Sequence, residues 1–287
     1  MILYANAYAK INLSLDITSV LPNGYHALNT VMQSVSLCER VRLQTGTPGL
    51  FLRCDAPDVP TDDRNTAFVA AKLFYDAIKK APETEIEIQK NIPSQAGLGG
   101  GSADAAAVLR LLNAAYGLPL SEETIAALAL QVGADVPFCL SGGTALCLNV
   151  GEVLSPLPYF DADVVLLKPD TGVSTKDAYR KFDTGAPLSH PDNDAVLYYL
   201  KAGDAQTALR YAANVFESLA PHEAYPEMLA ILRRSGAFYA SVSGSGSAVF
   251  GLFCRKEDAE AATLAALHKQ FFAVCAKTKR LSVEIFA

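Results

Sequence analysis

Residues 93–106 read PSQAGLGGGSADAA and place four glycines in the five positions from Gly97 to Gly101. Ahead of this run, Glu85-Ile86-Glu87-Ile88-Gln89 alternates as a strand does. Behind it, Ala105, Val108, Leu109, Leu112 and Ala115 recur at helical spacing. A strand that reaches a helix through such a run has a backbone able to turn several N–H groups inward. The helix begins at once, so its positive end points at the same spot. A polyphosphate would be held there without help from a lysine. The Walker pattern GxxxxGK[ST] is absent, and the run is not the GxGxxG turn of a dinucleotide-binding βαβ unit. The bland alternative is a flexible turn capped by Ser102, although clustered glycines lose the most backbone entropy on folding.

Elsewhere strands and helices mix without strict alternation, so an α+β architecture is expected rather than a doubly wound sheet. Residues 9–17, AKINLSLDI, put Ile11, Leu13, Leu15 and Ile17 on one face and Lys10, Asn12, Ser14 and Asp16 on the other, the pattern of a half-buried strand. Residues 31–44 continue as strand after a turn at Pro22-Asn23-Gly24. Helices are expected at about 65–80, from the glycine run to Gly117, and from Ser121 to Gly133. Later come a short strand at 164–167, a helix over 204–219, a strand over 248–253, a helix at about 257–272 and a terminal alternating segment with Leu281, Val283 and Ile285. Gly151, Pro156 and Pro158 suggest domains at 1–155 and 156–287, with the terminal strand at 280–287 able to rejoin the first.

Composition narrows the classes. Of 287 residues, 51% are apolar and 19% charged, which calls for a packed core and excludes long disorder. A net charge of −6 argues against a general nucleic-acid binder, so an anionic ligand needs a local site. Six scattered cysteines with no CxxC pair, as in Pro137-Phe138-Cys139-Leu140, read mostly as small hydrophobes of a reducing compartment. Residues 1–7 lack the charged start of a signal peptide, and no apolar stretch approaches the ~20 residues of a membrane span. A cytoplasmic protein with neither membrane nor nucleic-acid partner is expected, as a monomer or weak homodimer.

The loop at 93–106 resembles the second signature of the GHMP kinases (galactokinase, homoserine kinase, mevalonate kinase, phosphomevalonate kinase). Lys10-Ile11-Asn12-Leu13 resembles their first signature strand, and residues 243–250, SGSGSAVF, resemble their third signature. The three lie in family order across nearly the whole chain. Ser94-Gln95 departs from the small residues often found there, and Ser247 replaces a common proline. The resemblance implies a two-domain α+β GHMP kinase fold, with a ribosomal protein S5 domain 2-like N-terminal domain and an α/β-sandwich C-terminal domain. It implies ATP with Mg²⁺, the phosphates lying among Pro93, Ser94, Gln95, Ala96, Gly97, Leu98, Gly99, Gly100, Gly101, Ser102 and Ala103. Asn65 and Lys90 would meet the adenine, although Asn65 suits a helix N-cap equally well. Ser102 could touch the metal or cap its helix, and capping is the expected role. No residue cluster is assigned as a metal site.

Asp135 stands in the apolar setting Gly133-Ala134-Asp135-Val136-Pro137-Phe138, where a lone carboxylate is costly unless paired. Lys10 is its natural partner. By resemblance Asp135 is the base for the acceptor hydroxyl, and Lys10 pairs with it and neutralises charge on the γ-phosphate. From the residues alone, a helix-end carboxylate and an exposed strand lysine remain open. Asn12, on the strand face of Lys10, supports the pair and joins the substrate contacts. A narrower likeness to one branch of the family rests on residues 22–34 (PNGYHALNTVMQS), 133–138 and 167–175. It implies an acceptor alcohol carrying a cytidine diphosphate group, used in isoprenoid precursor synthesis. Tyr25 would be one wall of a cytosine stack, His26 the reader of its edge, and Tyr179 the second wall. A family kinase acting on a bare alcohol, or a non-catalytic sensor, are the alternatives. The Gly24-Tyr25-His26 segment weighs against the first, and the Lys10/Asp135 pair against the second.

Overall fold

The computed structural model describes residues 1–287 except 23, 186–188, 220 and 221, so Asn23 of the expected turn lies outside the described residues. β1 (Ile2–Val20) and β2 (His26–Thr45) form a long antiparallel pair running from Ile2↔Gln44 to Val20↔His26. Register shifts near Tyr8, Asn12 and Ile17 let so long a ribbon twist. β3 (Gly49–Cys54), α1 (Thr66–Ile78) and β4 (Glu83–Gln89) follow, and β3 pairs parallel with β4 while β4 pairs antiparallel with β2. Beyond the glycine loop come α2 (Gly100–Ala115), α3 (Glu122–Val132), α4 (Val136–Ser141) and a hairpin of β5 (Thr144–Asn149) and β6 (Val153–Leu157). α2 is buried on nearly every side from Ala103 to Leu109, wedged between β1 and α1, and its run of alanines permits that close approach.

The later half builds its own antiparallel layer. β7 (Asp163–Lys168) precedes α5 (Thr175–Thr184), α6 (Asn193–Lys201), α7 (Ala205–Ala208), α8 (Val215–Leu219) and α9 (Tyr225–Arg234). β8 (Tyr239–Val242), β9 (Val249–Phe253), α10 (Lys256–Leu267), β10 (Phe272–Lys279) and β11 (Val283–Phe286) complete the chain. β10, β7, β9 and β8 lie side by side, with α9 and α10 closing a core that includes Leu232, Val249 and Phe253. Thr278 and Lys279 of β10 pair with β2, and β11 pairs with β1 from Tyr4 to Ala7, so the last strands stitch the two layers together. Among the named strands the pairing is antiparallel apart from β3 with β4, in keeping with an α+β architecture. Among the described residues no helix is long and apolar enough to cross a membrane. All six cysteines are free, and only Cys139 and Cys147 are fully buried.

Three expectations are corrected. β1 is not half-buried: Lys10, Asn12 and Ser14 are sealed along with Ile11 and Leu13, because the later half covers the polar face. Leu15 N donates to the Ala213 carbonyl at 2.8 Å, and Ser14 Oγ donates to Asn193 Oδ1 at 2.6 Å. The helix expected over 204–219 is broken into α7 and α8. Between them Asn214 bridges to β1, its amide donates to the Val242 and Gly244 carbonyls at 2.8 Å each, and its Oδ1 accepts from Phe216 N. Those bonds outweigh helix propensity. The helix expected to reach 272 stops at Leu267, because residues from Phe272 onward pair with β7.

Candidate active site

The loop over 93–101 is gripped from two sides. Lys10 N on β1 donates to the Leu98 carbonyl at 3.0 Å. Opposite, Ala248 N donates to Ala96 O at 3.1 Å, and Ser243 Oγ donates to Gly97 O at 2.9 Å. Gly97 has φ +72°, and a Cβ there would stand 2.0 Å from the Ser243 carbonyl oxygen. Only glycine lets the two glycine-rich segments touch, so they make one floor. Gly99, at φ 74°, is the N-cap of α2 and provides no side-chain cap. Ser102 does not cap this helix, contrary to expectation, because it already lies inside the first turn. The first-turn amides therefore meet no capping side chain, which suits an anionic ligand.

A cavity of about 340 Å³ lies over this floor, lined by residues 93–101 with Lys10, Asn12, Lys90 and Asp135. Beside it a wider cleft of about 880 Å³ is lined by Tyr25, His26, Ser102, Val150, Lys176 and Arg180. Leu28, Asp135, Thr175 and Tyr179 line both. Asp135 thus stands where the two spaces meet. It occupies the N-cap position of α4 but makes no capping hydrogen bond, so its carboxylate is left to the cavity.

Lys10 Nζ lies 3.3 Å from Asp135 Oδ2, with side-chain exposures of 5% and 33%. The ammonium also donates to Asn12 Oδ1 at 2.8 Å, Asn12 Nδ2 donates to Thr30 Oγ1 at 2.9 Å, and Thr30 Oγ1 donates to the Ser14 carbonyl at 2.6 Å. This chain of bonds fixes the Lys10 head group while leaving the carboxylate edge accessible. Strand pairing explains the placement, since Lys10 and Asn12 sit two residues apart on one face of β1.

At the far end of the cleft the His26 ring lies 4.8 Å from Tyr179 and edge-on to Phe182 at 5.6 Å. His26 Nε2 lies 2.7 Å from Asp183 Oδ1. Tyr25 is largely exposed at the rim. Burial, reinforced by the charge of Asp135, pushes the Tyr179 phenol above its ordinary pKa, so it stays neutral. Tyr179 and Asp183 are four apart on α5, the spacing that puts both on one helix face. That spacing could have revealed Asp183, which sequence reasoning missed.

Two expected adenine contacts are engaged within the fold. Asn65 Oδ1 accepts from Ala67 N at 2.8 Å as the N-cap of α1, and its Nδ2 donates to Pro60 O at 2.8 Å. Ala103 is buried in α2 rather than on the cavity wall. Lys90 reaches the cavity, but its Nζ lies 2.6 Å from Glu39 Oε1 and 2.7 Å from Asp104 Oδ2. Burial opposes the Lys90 charge, yet Asp104 and Glu39 together outweigh it and raise its pKa. Burial pushes Asp104 up to about 7, with Lys90 acting against the shift and Glu39 adding to it. Glu39 was also missed. It shares the inward row of Val41 and Leu43 on β2, where a carboxylate calls for a partner.

The sequence pattern of the GHMP kinases N terminal domain matches residues 65–143, and that of the GHMP kinases C terminal domain matches residues 196–272. The chain belongs to the GHMP kinase family. GHMP kinases use ATP, which accords with the phosphate-loop geometry. Over 259 residues it is 42% identical to 4-diphosphocytidyl-2-C-methyl-D-erythritol kinase of Desulfitobacterium hafniense (strain Y51), covering 88% of each chain. Over 250 residues it is 39% identical to the kinase of the same name from Clostridium botulinum (strain Alaska E43 / Type E3), covering 86% of this chain and 89% of that one. A crystal structure of 4-(cytidine 5'-diphospho)-2C-methyl-D-erythritol kinase superposes with a TM-score of 0.79 at 33% identity, covering 96% of this chain and 98% of the other. The homoserine kinase of Cytophaga hutchinsonii superposes with a TM-score of 0.77 at 18% identity, covering 99% and 97%, which shows the shared fold alone.

Proposed function

We propose that this GHMP kinase transfers the γ-phosphoryl group of ATP to the 2-hydroxyl of 4-diphosphocytidyl-2-C-methyl-D-erythritol, in the non-mevalonate route to isoprenoid precursors. The observation that carries the reading is the position of Asp135, whose carboxylate lines both the phosphate cavity and the aromatic cleft. The similarity to kinases of that name over most of both chains supports it.

In this reading ATP lays its phosphates along residues 93–101, and the acceptor lies in the cleft with its cytosine between Tyr25 and Tyr179. His26 reads the edge of the base through the ring atom or backbone that Asp183 leaves open. Asp135 takes the proton of the acceptor hydroxyl as it attacks, and Lys10 offsets the carboxylate and the charge gathering on the transferred group. Asn12 keeps Lys10 aimed at both. Mg²⁺, if it accompanies ATP, would supply charge neutralisation on the phosphates that residues 93–101 hold. Among the described residues no three His, Cys, Asp or Glu side chains gather into a site of their own. A cytoplasmic location follows from the metabolic role.

An ATP-to-ADP assay comparing the cytidine-diphosphate-linked alcohol with homoserine and mevalonate tests the proposal. Turnover of the linked alcohol should exceed that of either bare alcohol by orders of magnitude. Equal or better turnover of a bare alcohol overturns it.

A further inference from the structure

We infer that Lys90 is a positioning residue: with Glu39 and Asp104 it staples the entry of the glycine loop to its exit, shaping the loop before any polyphosphate arrives. The inference rests on the reading of residues 93–101 as a phosphate site.

The three charges come from three separate elements. Lys90 follows β4 and leads into the loop, Glu39 projects from β2, and Asp104 lies on α2 one turn past the last loop glycine. Their side-chain exposures are 11%, 0% and 3%. Glu39 also accepts from the backbone N–H groups of Asn91 and Ile92, the first residues of the loop. Lys90 N donates to Asp55 Oδ1 at 2.8 Å, fixing the backbone beside its own ammonium. The ammonium donates to Asp104 Oδ2 and lies 2.6 Å from Glu39 Oε1, so its charge is already engaged by two carboxylates and little remains for a nucleobase. Burying three charges brings no assured stability, because desolvation offsets their attraction. Their value lies in geometry: β2, the start of the loop and α2 are tied at one point at the edge of the phosphate cavity. Displacement of a preorganised site by about 1 Å can cost up to ~100-fold in function.

The test uses inorganic tripolyphosphate, which has phosphates but neither base nor ribose, alongside ATP. The charge-free variant Glu39→Gln/Lys90→Met/Asp104→Asn keeps side-chain volume and the acceptor for the Asn91 and Ile92 amides. It should melt close to the parent, bind tripolyphosphate and ATP about tenfold more weakly by the same factor, and keep kcat at saturating ATP within about twofold. Unchanged affinity for both ligands overturns the staple. Loss confined to ATP also overturns it, because Lys90 would then be serving the base. Hydrogen exchange on the parent needs no variant and decides the matter even if the variant fails to fold. The Asn91 and Ile92 amides should exchange slowly in nucleotide-free protein. Fast exchange that slows only on adding tripolyphosphate overturns the inference. A parent that does not bind tripolyphosphate at all overturns the phosphate-site reading and this inference with it, an outcome distinct from equal binding by parent and variant.

Discussion

Two lysine–aspartate pairs flank the glycine loop, and they could hardly be used more differently. Lys10 and Asp135 stand above it, 3.3 Å apart, with Asp135 one-third exposed at the meeting point of two cavities. Lys90 and Asp104, the lower pair, join its entry to its exit, closer at 2.7 Å, with both side chains almost sealed and a second carboxylate, Glu39, on the same ammonium. Distance would rank the lower pair as the stronger. Access ranks them the other way, because a carboxylate can take a proton from a substrate only if the substrate can reach it. On the proposed reading the upper pair serves the chemistry and the lower one holds shape.

The largest expected effect comes from breaking the upper pair. Asp135→Asn and Lys10→Ala should each lower turnover by about two to four powers of ten, the usual contribution of a positioned base with its charge partner. Calorimetric ATP affinity and melting temperature should stay near those of the parent. Near-normal turnover in either variant would remove the distinction between the two pairs.

Next in size is the floor between them. Gly97→Ala forces a Cβ to within 2.0 Å of the Ser243 carbonyl and demands φ +72° of a residue that resists it. The two glycine-rich segments must separate, so the KM for ATP should rise by about 100-fold. Parent-like KM for ATP would show that the floor is looser than its contacts imply. Tyr179→Ala should have a smaller and cleaner effect. Base–aromatic stacking is worth about 1–3 kcal/mol, so the KM for the acceptor should rise by about tenfold while the KM for ATP stays put. A matching rise in both would place Tyr179 on the wrong side of Asp135.

The two pairs also differ in how far they could be read from sequence. Lys10 sits in a strand of clear alternation and Asp135 in an apolar run that makes a lone carboxylate conspicuous, so their meeting could be argued before any fold was known. The lower pair offered no such cue. Asp104 reads as one more residue of a helix start, and Lys90 as a lysine beside a loop. Glu39 is revealing only once β2 is known to face Val41 and Leu43 inward. The same blindness explains the fold errors. Local periodicity cannot see that the later half will bury the polar face of β1, or that Asn214 will leave a helix to hold the Val242 and Gly244 carbonyls. Such contacts join residues from 28 positions apart (Asn214 to Val242) to 179 (Ser14 to Asn193), beyond the short windows in which helical or strand periodicity is read.

The smallest expected effect is a change of slope rather than of rate. Burial raises the Asp104 carboxyl to about 7, with Lys90 acting against the shift and Glu39 adding to it, so Asp104 holds a proton that a free carboxylate would lose. An unfolded aspartate titrates near ~4. The folded chain therefore binds this proton more tightly, and the stability it brings below about pH 4 is lost as pH rises through about 7. Asp104→Asn cannot titrate, so its stability should fall less steeply over that window, by at most about 1.4 kcal/mol per pH unit. Denaturant midpoints of parent and variant at pH 5, 6, 7 and 8 measure the difference, and activity at pH 7 should change by less than about threefold, because Asn resembles the protonated acid. Parallel curves would mean that Asp104 is ionised throughout, as a partner fully neutralised by Lys90. The lower pair would then differ from Lys10 and Asp135 in access alone.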